Sequence, residues 1–423
     1  ENRNHRHHGG YTPEPTTKAV AVPIYQTTSP RVRRHSARRR SVRPEGAGQH
    51  LYPDHEPHHR RARTARCGHG RRCRRALAVS AGSAAITYAL MTIAEVGDNI
   101  VTTSTLYGGT LQSVRAYPAA FRYRRRFADY RDIDAMGPLI DGKTKAVFLR
   151  IHRQSCGERG GFRRLGRRRP RPGRTADRGQ HRADPYLCRP FEHGADIVVH
   201  SLTKYMGGHG TSLGGIIVDS GHFPWDQHKT RFARLNEPDP SYHGVVYVEA
   251  LGPAAFIGRA RWYRCAPGAA ISPFNSFLIL QGIENCRCGW TATARTPSRP
   301  PNICATIRKV TWIKYPALAD SPENRWSTNT WADVAPASPR FGIKGRPRSR
   351  RQIHRRAATG DPAGQHRRCQ VTGLPSSDNH PWQLSPDELA RAGVSEDLVR
   401  LSIGIEHIDA TSADLEQPLA AAK

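Results

Sequence analysis

The residues best suited to do chemistry lie in a short stretch directly after an apolar run. The run Ala195–Val199 has the composition of a buried strand, and Ser201, Thr203, Lys204 and three glycines follow it by position 210. A lysine amine can form a Schiff base, hydroxyl groups can donate to phosphate oxygens, and glycines let the backbone approach a ligand closely. The pattern indicates a cofactor-binding lysine. Its spacing alone is equally typical of a surface turn with an ordinary solvated lysine.

A second candidate site is the segment Ser80–Ser83, which precedes apolar residues at helical spacing. The backbone N–H groups of Gly82 and Ser83 would open that helix, and such groups form a ready site for an anion such as phosphate. Many turns in α/β proteins have this composition, so the feature is weak when taken alone.

Two further residues have side chains that suit a cofactor and a substrate. Tyr107 follows an apolar run and could stack on a planar ring, although a packed loop tyrosine is the more common arrangement. Arg400 lies inside the apolar run LVRLSIGI, where a charge is costly unless it is paired. Its guanidinium could bind a substrate carboxylate with two hydrogen bonds, or pair with Glu406 as a structural ion pair.

The elements that must position these residues read as alternating strands and helices. The apolar patterns predict strands over 77–79, 100–103, 145–149, 196–200, 215–218 and 398–405, and helices over 84–94 and 268–284. Strand, turn, helix and strand at this spacing predict an α/β fold with a mostly parallel sheet.

The charge of the chain is concentrated in three segments. The chain has 423 residues and a formal charge of +31, and segments 31–75, 151–182 and 346–368 together supply +28 of it. Every basic residue in those segments is Arg and none is Lys, although a phosphate-binding surface usually uses both. The high charge makes a basic nucleic-acid-binding protein the rival interpretation. That interpretation explains the charge but not the surroundings of Lys204.

Other features narrow the class of protein. No apolar run reaches 18 residues and the start has no secretory signal, so we expect no membrane span and a cytoplasmic location. The nine cysteines are odd in number, which argues against a closed disulfide framework. Their spacing does not suit zinc, so we expect no metal site.

Six blocks of the chain together resemble the cystathionine gamma-synthase-like family of pyridoxal-phosphate (PLP) enzymes of Cys/Met metabolism, nearest to its O-acetylhomoserine sulfhydrylase branch. The similarity lies in blocks 10–29 (GYTPEPTTKAVAVPIYQTTS), 80–110, 185–219 (with HSLTKYMGGHG), 235–261 (with NEPDPSYHGVVY), 268–284 and 384–409. They follow the family's order and spacing.

The resemblance implies a fold-type I PLP-dependent, aminotransferase-like α/β subunit with a smaller α+β C-terminal domain. We expect an N-terminal arm over 1–60, a PLP-binding large domain over 61–260 and a small domain over 261–423. It also implies a homo-oligomer, usually a homotetramer, that acts on the small molecules O-acetylhomoserine and sulfide, with no nucleic-acid or membrane partner. Cystathionine gamma-synthase and gamma-lyase, on the same fold, remain alternatives.

The family's motifs assign roles to individual residues. Lys204 takes the position of the Schiff-base lysine and Tyr107 that of the ring-stacking tyrosine; both are expected to be catalytic. Gly82 and Ser83 are expected to bind the cofactor phosphate through their backbone, with hydroxyl help from Ser201 and Thr203. Arg400 takes the position of the arginine that binds the substrate carboxylate.

Three motifs of the family are missing, and all three fall in the Arg-rich segments. The aspartate that pairs with the pyridine nitrogen falls on Gly179, and the Gly-Asn-Pro motif falls on Arg153–Ser155. The Tyr-Thr-Arg motif is missing near Leu51–Asp54. Residues 49–58, 153–158 and 177–181 can each be written in synonymous codons that encode the missing motif when the reading frame is shifted by one base. The same shift in residues 365–372 gives a fourth match to the family's sequence. We therefore interpret the Arg-rich segments as out-of-frame translation. We expect the polypeptide with this exact sequence, called the literal chain below, to bind PLP poorly and to turn over slowly.

Overall fold

A computed structural model describes the two sheets of the protein and the helices around them. The residues it describes are 24, 75–103, 123–128, 134–150, 177–180, 190–265, 268–284, 286, 310–315, 318, 340–343, 370–373, 395 and 397–402.

The first sheet has seven strands in the order β1-β7-β6-β5-β4-β2-β3. The strands are β1 (Ala76–Val79), β2 (Asn99–Thr103), β3 (Arg124–Ala128), β4 (Thr144–Arg150), β5 (Asp177–Gln180), β6 (Ile197–Ser201) and β7 (Gly215–Asp219). Only β7 runs antiparallel to its two neighbours, and the other four pairings are parallel. Antiparallel neighbours need no crossover connection, and residues 202–214 join β6 directly to its neighbour β7. The expected mostly parallel sheet is confirmed.

Both faces of this sheet are covered, and the strand sequences show why. Leu77 and Val79 belong to one apolar cluster, whereas Ala76 and Ala78 belong to another. Because successive side chains of a strand point to opposite faces, the two clusters lie on opposite sides of the sheet. Strands buried on both faces require the near-continuous apolar runs from which they were predicted.

Five α-helices accompany the sheets among the described residues. They are α1 (Gly82–Ile93), α2 (Ala233–Asn236), α3 (Tyr247–Leu251), α4 (Ala255–Cys265) and α5 (Pro273–Glu284). Helices α1 and α4 supply residues to the same cluster, and the rings of Tyr88 and Tyr263 stack between them with centroids 6.1 Å apart. The helix expected over 84–94 begins two residues earlier and ends one earlier, and the helix expected over 268–284 begins at Pro273.

The second sheet is antiparallel and lies in the C-terminal part of the chain. Its strands are β8 (Val310–Lys314), β9 (Arg340–Ile343), β10 (Gln370–Gly373) and β11 (Leu398–Ser402), in the order β10-β11-β9-β8. The strand predicted over 398–405 is described as far as Ser402.

The expected domain boundaries stay predictions. The boundary between 260 and 261 falls inside α4, and Tyr263, beyond it, belongs to the core of the first sheet. Of the expected N-terminal arm over 1–60, only Ile24 is among the described residues.

No helix in the described part of the chain combines the length and the apolar character needed to cross a membrane.

Candidate active site

Lys204 lies near the start of residues 202–214, which join β6 to β7 and are called the lysine turn below. The backbone N–H of Gly207 donates to the carbonyl of Leu202 at 2.9 Å, and that of Gly208 donates to the carbonyl of Lys204 at 2.8 Å. Gly208 has a φ of +70°, in the left-handed region that favours glycine. The turn therefore fixes the backbone of a half-buried Lys204 at the end of a central strand.

The hydroxyl of Thr203 is used inside this turn. Its Oγ1 accepts from the backbone N–H of Gly214 at 3.0 Å and lies 3.2 Å from the carbonyl oxygen of the same residue, to which it can donate. A hydroxyl has one proton, so a Thr203 that donates to Gly214 has none left for a phosphate oxygen. The expected phosphate contact of Thr203 stays a prediction, and it requires this hydroxyl to rotate.

The start of α1 packs directly against Ser201. A Cβ added at Gly82 would lie 2.7 Å from the Cβ of Ser201 and 2.9 Å from its Oγ, so only glycine fits there. The N-cap residue is Ala81, whose side chain makes no capping hydrogen bond. The first N–H groups of a helix have no partner within the helix, and alanine cannot supply one. Helix α1 thus begins at Gly82 and Ser83, with Gly82 against the buried Ser201, and the phosphate contacts expected of these three residues stay predictions.

A further glycine, Gly215, packs against the start of α1, and the sequence did not predict this contact. A Cβ on Gly215 would lie 2.2 Å from the carbonyl oxygen of Ala81 and 2.9 Å from the nitrogen of Gly82. Gly215 is the first residue of β7 and pairs with Ser201 of β6. The sequence signal was the pair Gly214-Gly215, but a close approach between distant segments is not visible in a sequence.

The remaining expected site residues are less fully described. Tyr107 lies outside the described residues. Arg400 lies in β11, where its backbone is paired with Thr372 of β10 and Arg340 of β9, and nothing is described of its side chain. Their roles stay predictions.

Gly179 lies in the central strand β5, between β4 and β6. It pairs with Arg150 on one side and with Val199 on the other, two residues before Ser201. Strand β5, next to the strand that precedes Lys204, therefore has a glycine at the position where the family that the sequence resembles has an acid.

These residues fit a cofactor that carries a phosphate and a carbonyl group. The cradle formed by Gly82, Ser83 and Ser201 supplies hydrogen-bond donors at the positive end of α1, and Lys204 supplies the amine. The fit fails at one point, since Gly179 offers no acid to a protonated ring nitrogen. Among the described residues no group of three or more metal-ligating side chains occurs.

A seven-stranded, mostly parallel sheet, with a lysine in the connection after β6 and a helix start packed against the end of that strand, defines a class. The protein is a PLP-dependent enzyme of fold type I. Known proteins agree. A solved structure from Campylobacter jejuni, described as an O-acetylhomoserine (thiol)-lyase and containing N′-pyridoxyl-lysine-5′-monophosphate, matches with a TM-score of 0.89 and 26% identity, covering 99% of each chain.

The sequence comparisons specify the family. The family model "Cys/Met metabolism PLP-dependent enzyme" matches residues 5–152 and 181–420. A homocysteine synthase of Schizosaccharomyces pombe is 35% identical over 97% of this chain and 96% of its own. The O-acetyl-L-homoserine sulfhydrylase 1 of Thermus thermophilus is 33% identical over 98% of each. The chain belongs to the Cys/Met metabolism PLP-dependent enzyme family.

The match to the family model is interrupted between residues 152 and 181. This interruption falls within the Arg-rich segment 151–182, where two of the family's motifs are missing. It coincides with the position at which the sequence indicates a change of reading frame.

Proposed function

We propose that this protein catalyses a PLP-dependent γ-replacement, in which sulfide displaces acetate from O-acetylhomoserine and gives homocysteine, in methionine and cysteine biosynthesis. The observation that carries the proposal is the position of Lys204 three residues after Ser201, against which the start of α1 packs. The names of the Schizosaccharomyces and Thermus relatives, homocysteine synthase and O-acetyl-L-homoserine sulfhydrylase, support the choice of substrate.

The residues of the chain divide the work between binding and proton transfer. The N–H groups of Gly82 and Ser83, with the Ser201 hydroxyl, would hold the phosphate at the helix start. Tyr107 would stack on the ring and Arg400 would orient the substrate α-carboxylate through two hydrogen bonds. When bound, PLP supplies an electron sink for the bond electrons released at the substrate Cα.

Lys204 would move the protons. Its amine would take the proton from Cα, and a second proton would leave Cβ, so that the C–O bond at Cγ can break and release acetate. Sulfide would then add at Cγ, and protons return to Cβ and Cα. A lysine whose backbone is fixed by hydrogen bonds suits this task, because its amine moves on a side chain that starts from a fixed point.

The absence of an acid at position 179 limits the activity of this chain. Without a carboxylate beside it, a pyridine nitrogen loses its proton more easily, which weakens the electron sink. We therefore expect weak PLP binding and slow turnover from the literal chain.

The experiment is a comparison of substrates on the purified chain. O-acetylhomoserine, O-succinylhomoserine and cystathionine are each incubated with PLP and sulfide, homocysteine is measured in all three, and cysteine and 2-oxobutyrate are measured with cystathionine, with Lys204→Ala as the control. Slow, Lys204-dependent formation of homocysteine from O-acetylhomoserine is expected. Preference for O-succinylhomoserine or cleavage of cystathionine would favour the cystathionine gamma-synthase or gamma-lyase alternative.

The assembly and surroundings of the enzyme belong to the same proposal. We infer a homo-oligomer, in the family's usual tetrameric form, that works in the cytoplasm on small-molecule substrates alone. Sedimentation velocity measures the assembly. A salt-dependent DNA-binding assay tests the rival nucleic-acid interpretation, for which tight binding that weakens with salt would be the signature.

A further inference from the structure

One face of α5, together with Cys286 just beyond the end of the helix, contacts the turn that carries Lys204. The contacting residues are Asn275, Ile279, Gly282 and Cys286. Their spacing of four, three and four residues places them on a single face, since residues three and four apart are neighbours on a helix.

The contacts of this face reach both ends of the turn. Asn275 donates from Nδ2 to the carbonyl of Leu213 at 3.1 Å. Ile279 is 1% exposed and shares an apolar cluster with Leu202. Cys286 packs against Tyr205, with its Sγ 3.9 Å from the Tyr205 carbonyl oxygen. The face formed by Asn275, Ile279, Gly282 and Cys286 thus packs along the lysine turn, and it is called the wall below.

Gly282 makes the closest approach in this wall. A Cβ built on Gly282 would lie 2.0 Å from the carbonyl oxygen of Gly207, 2.6 Å from its carbonyl carbon and 2.9 Å from its Cα. All three atoms are backbone, so no side-chain rotation can relieve the contact. Even an alanine here would force either the helix or the turn to move.

The peptide group that Gly282 touches is the one that holds Lys204. The carbonyl of Gly207 and the N–H of Gly208 belong to a single planar unit. That N–H donates to the carbonyl of Lys204 at 2.8 Å. A displacement of the Gly207 carbonyl therefore tilts the donor that fixes the backbone of Lys204.

We propose that Gly282 is a positioning residue for Lys204, through the contact of its bare backbone with the Gly207–Gly208 peptide. The role of Lys204 as the cofactor lysine rests on the proposed function, whereas the mechanical coupling between α5 and the turn does not. Helix propensity alone would favour the opposite outcome, since alanine is more favourable than glycine inside a helix. The glycine is explained by the turn and not by the helix.

The test compares Gly282→Ala with Gln281→Ala, an exposed neighbour on the same helix. Amide hydrogen exchange in the absence of PLP is measured by mass spectrometry on peptides that cover the turn. For Gly282→Ala we expect at least tenfold faster exchange in the turn, with the strands of the first sheet unchanged. Gln281→Ala should leave the turn as in the parent chain. Equal exchange in all three proteins would overturn the proposal.

PLP titration gives a second, separate readout. The dissociation constant of PLP, followed by the absorption of the lysine–PLP imine, should rise at least tenfold in Gly282→Ala, and the pH midpoint of that absorption should shift. If the parent chain forms no imine while its turn exchange still responds to Gly282→Ala, the proposed function fails and the positioning role stands. Unchanged affinity and midpoint in a variant whose parent forms the imine would contradict the positioning role.

A milder variant covers the case in which Gly282→Ala does not fold. Ile279→Val removes the Cδ1 that lies closest to Gly214, 2.7 Å from the position of an added Cβ. Its matched control is Ile283→Val, on the same helix and packed against the same apolar cluster. Faster exchange of the turn in Ile279→Val than in Ile283→Val is expected. Equal exchange in these two would count against a wall that positions the turn.

Discussion

Asp239 shows what one buried carboxylate can organise. Its Oδ2 lies 2.5 Å from Nη1 of Arg259 and accepts from the hydroxyl of Tyr247 at 2.9 Å, while its Oδ1 accepts from the backbone N–H and the hydroxyl of Ser241. The side chains of Asp239 and Arg259 are only 5% and 12% exposed. This cluster joins the loop before α3 to α4, within the block NEPDPSYHGVVY on which the family resemblance partly rests.

Replacing this carboxylate should destabilise the fold. Asp239→Asn leaves Arg259 buried without a counter-charge, which costs roughly 3 kcal/mol. Burial by itself would raise the pKa of Asp239, but the hydrogen bonds from Ser241 and Tyr247 and the charge of Arg259 lower it. The stabilisation is therefore complete above the unfolded-state pKa and declines as the pH falls below it. Urea unfolding at pH 7 and pH 3 measures both effects.

The control for this substitution is Glu249→Gln, which removes a carboxylate from an exposed position of α3. It should change the free energy of unfolding by less than about 0.5 kcal/mol. Equal losses for the two variants would mean that the Asp239 cluster contributes nothing specific.

For Asp219 we expect the opposite dependence of folding stability on pH. It ends β7, is 2% exposed, and its Oδ2 has no hydrogen-bond partner among the described residues. Burial raises its pKa to about 7, against the lowering effects of the Gly221 N–H and Arg75, with a smaller raising effect from Asp196. A carboxyl with a raised pKa in the folded state favours folding at low pH, and that contribution is lost as the pH rises to about 7.

Asp219→Asn should therefore stabilise the protein at pH 8 and change little at pH 4. The difference between pKa values of 3.8 and about 7 sets an upper limit of roughly 4 kcal/mol on the gain. Thermal unfolding at the two pH values measures it, with the exposed Asp226→Asn as the charge-matched control. A gain that is the same at both pH values would show that ionisation of Asp219 is not its source.

At the scale of elements, the sequence predicted five strands of the first sheet, each of which contains a run of at least two consecutive apolar residues. Strands β1, β2, β4, β6 and β7 lie within one or two residues of their expected positions. Strand β5 has the sequence DRGQ and β3 has RRRFA, neither of which shows an apolar period. Only backbone pairing with neighbours far along the chain makes these segments strands, and the order of the sheet depends on the same long-range contacts.

The candidate active site likewise has features that the sequence predicts and features that it does not. The positions of Gly82 and Ser83 at a helix start, and of Ser201 and Lys204 at or after a strand end, could be predicted from residue type and the neighbouring apolar runs, whereas their roles stay predictions. The hydrogen bonds of Thr203 to Gly214 could not, and neither could the close contacts of other glycines, since they join segments that the sequence does not place together.

The contact between β7 and the start of α1 yields a prediction for these two elements. Gly215→Ala places a methyl group 2.2 Å from the Ala81 carbonyl oxygen, which must separate the helix start from the sheet. We expect a loss of roughly 2 kcal/mol in the free energy of unfolding, as for other overpacked interiors. PLP affinity should fall with it, because the phosphate cradle opens.

Gly142→Ala is the matched control for this change. A Cβ at Gly142 meets nothing within 4 Å, and its backbone has no unusual conformation, so the substitution should be neutral. Urea unfolding and PLP titration are run on both variants. A Gly215→Ala protein as stable as Gly142→Ala would mean that helix and sheet adjust without cost.

At the scale of the whole molecule, the family match is interrupted in one of the three Arg-rich segments and runs through the other two. The segments 31–75, 151–182 and 346–368 hold nearly all of the net charge, and the interruption of the family match lies in the second of them. Arg-rich peptide has little apolar surface to bury, so it contributes little to a core. If these segments are out-of-frame translation, the coding DNA must permit the shifted reading at every codon, which sequencing of the gene tests directly.

The corresponding protein experiment compares three chains: the literal one, Gly179→Asp, and one in which the three segments are re-read one base later. Gly179→Asp places a single carboxylate in β5, and we expect it to tighten PLP binding about tenfold, equivalent to ~1.4 kcal/mol. The re-read chain also regains the other missing motifs and should bind PLP more tightly than either, with a kcat/KM for O-acetylhomoserine at least a hundredfold above that of the literal chain. Titration of the imine absorption and assay of homocysteine give both quantities. A literal chain that equals the re-read chain in both would show that the Arg-rich segments belong to the working enzyme.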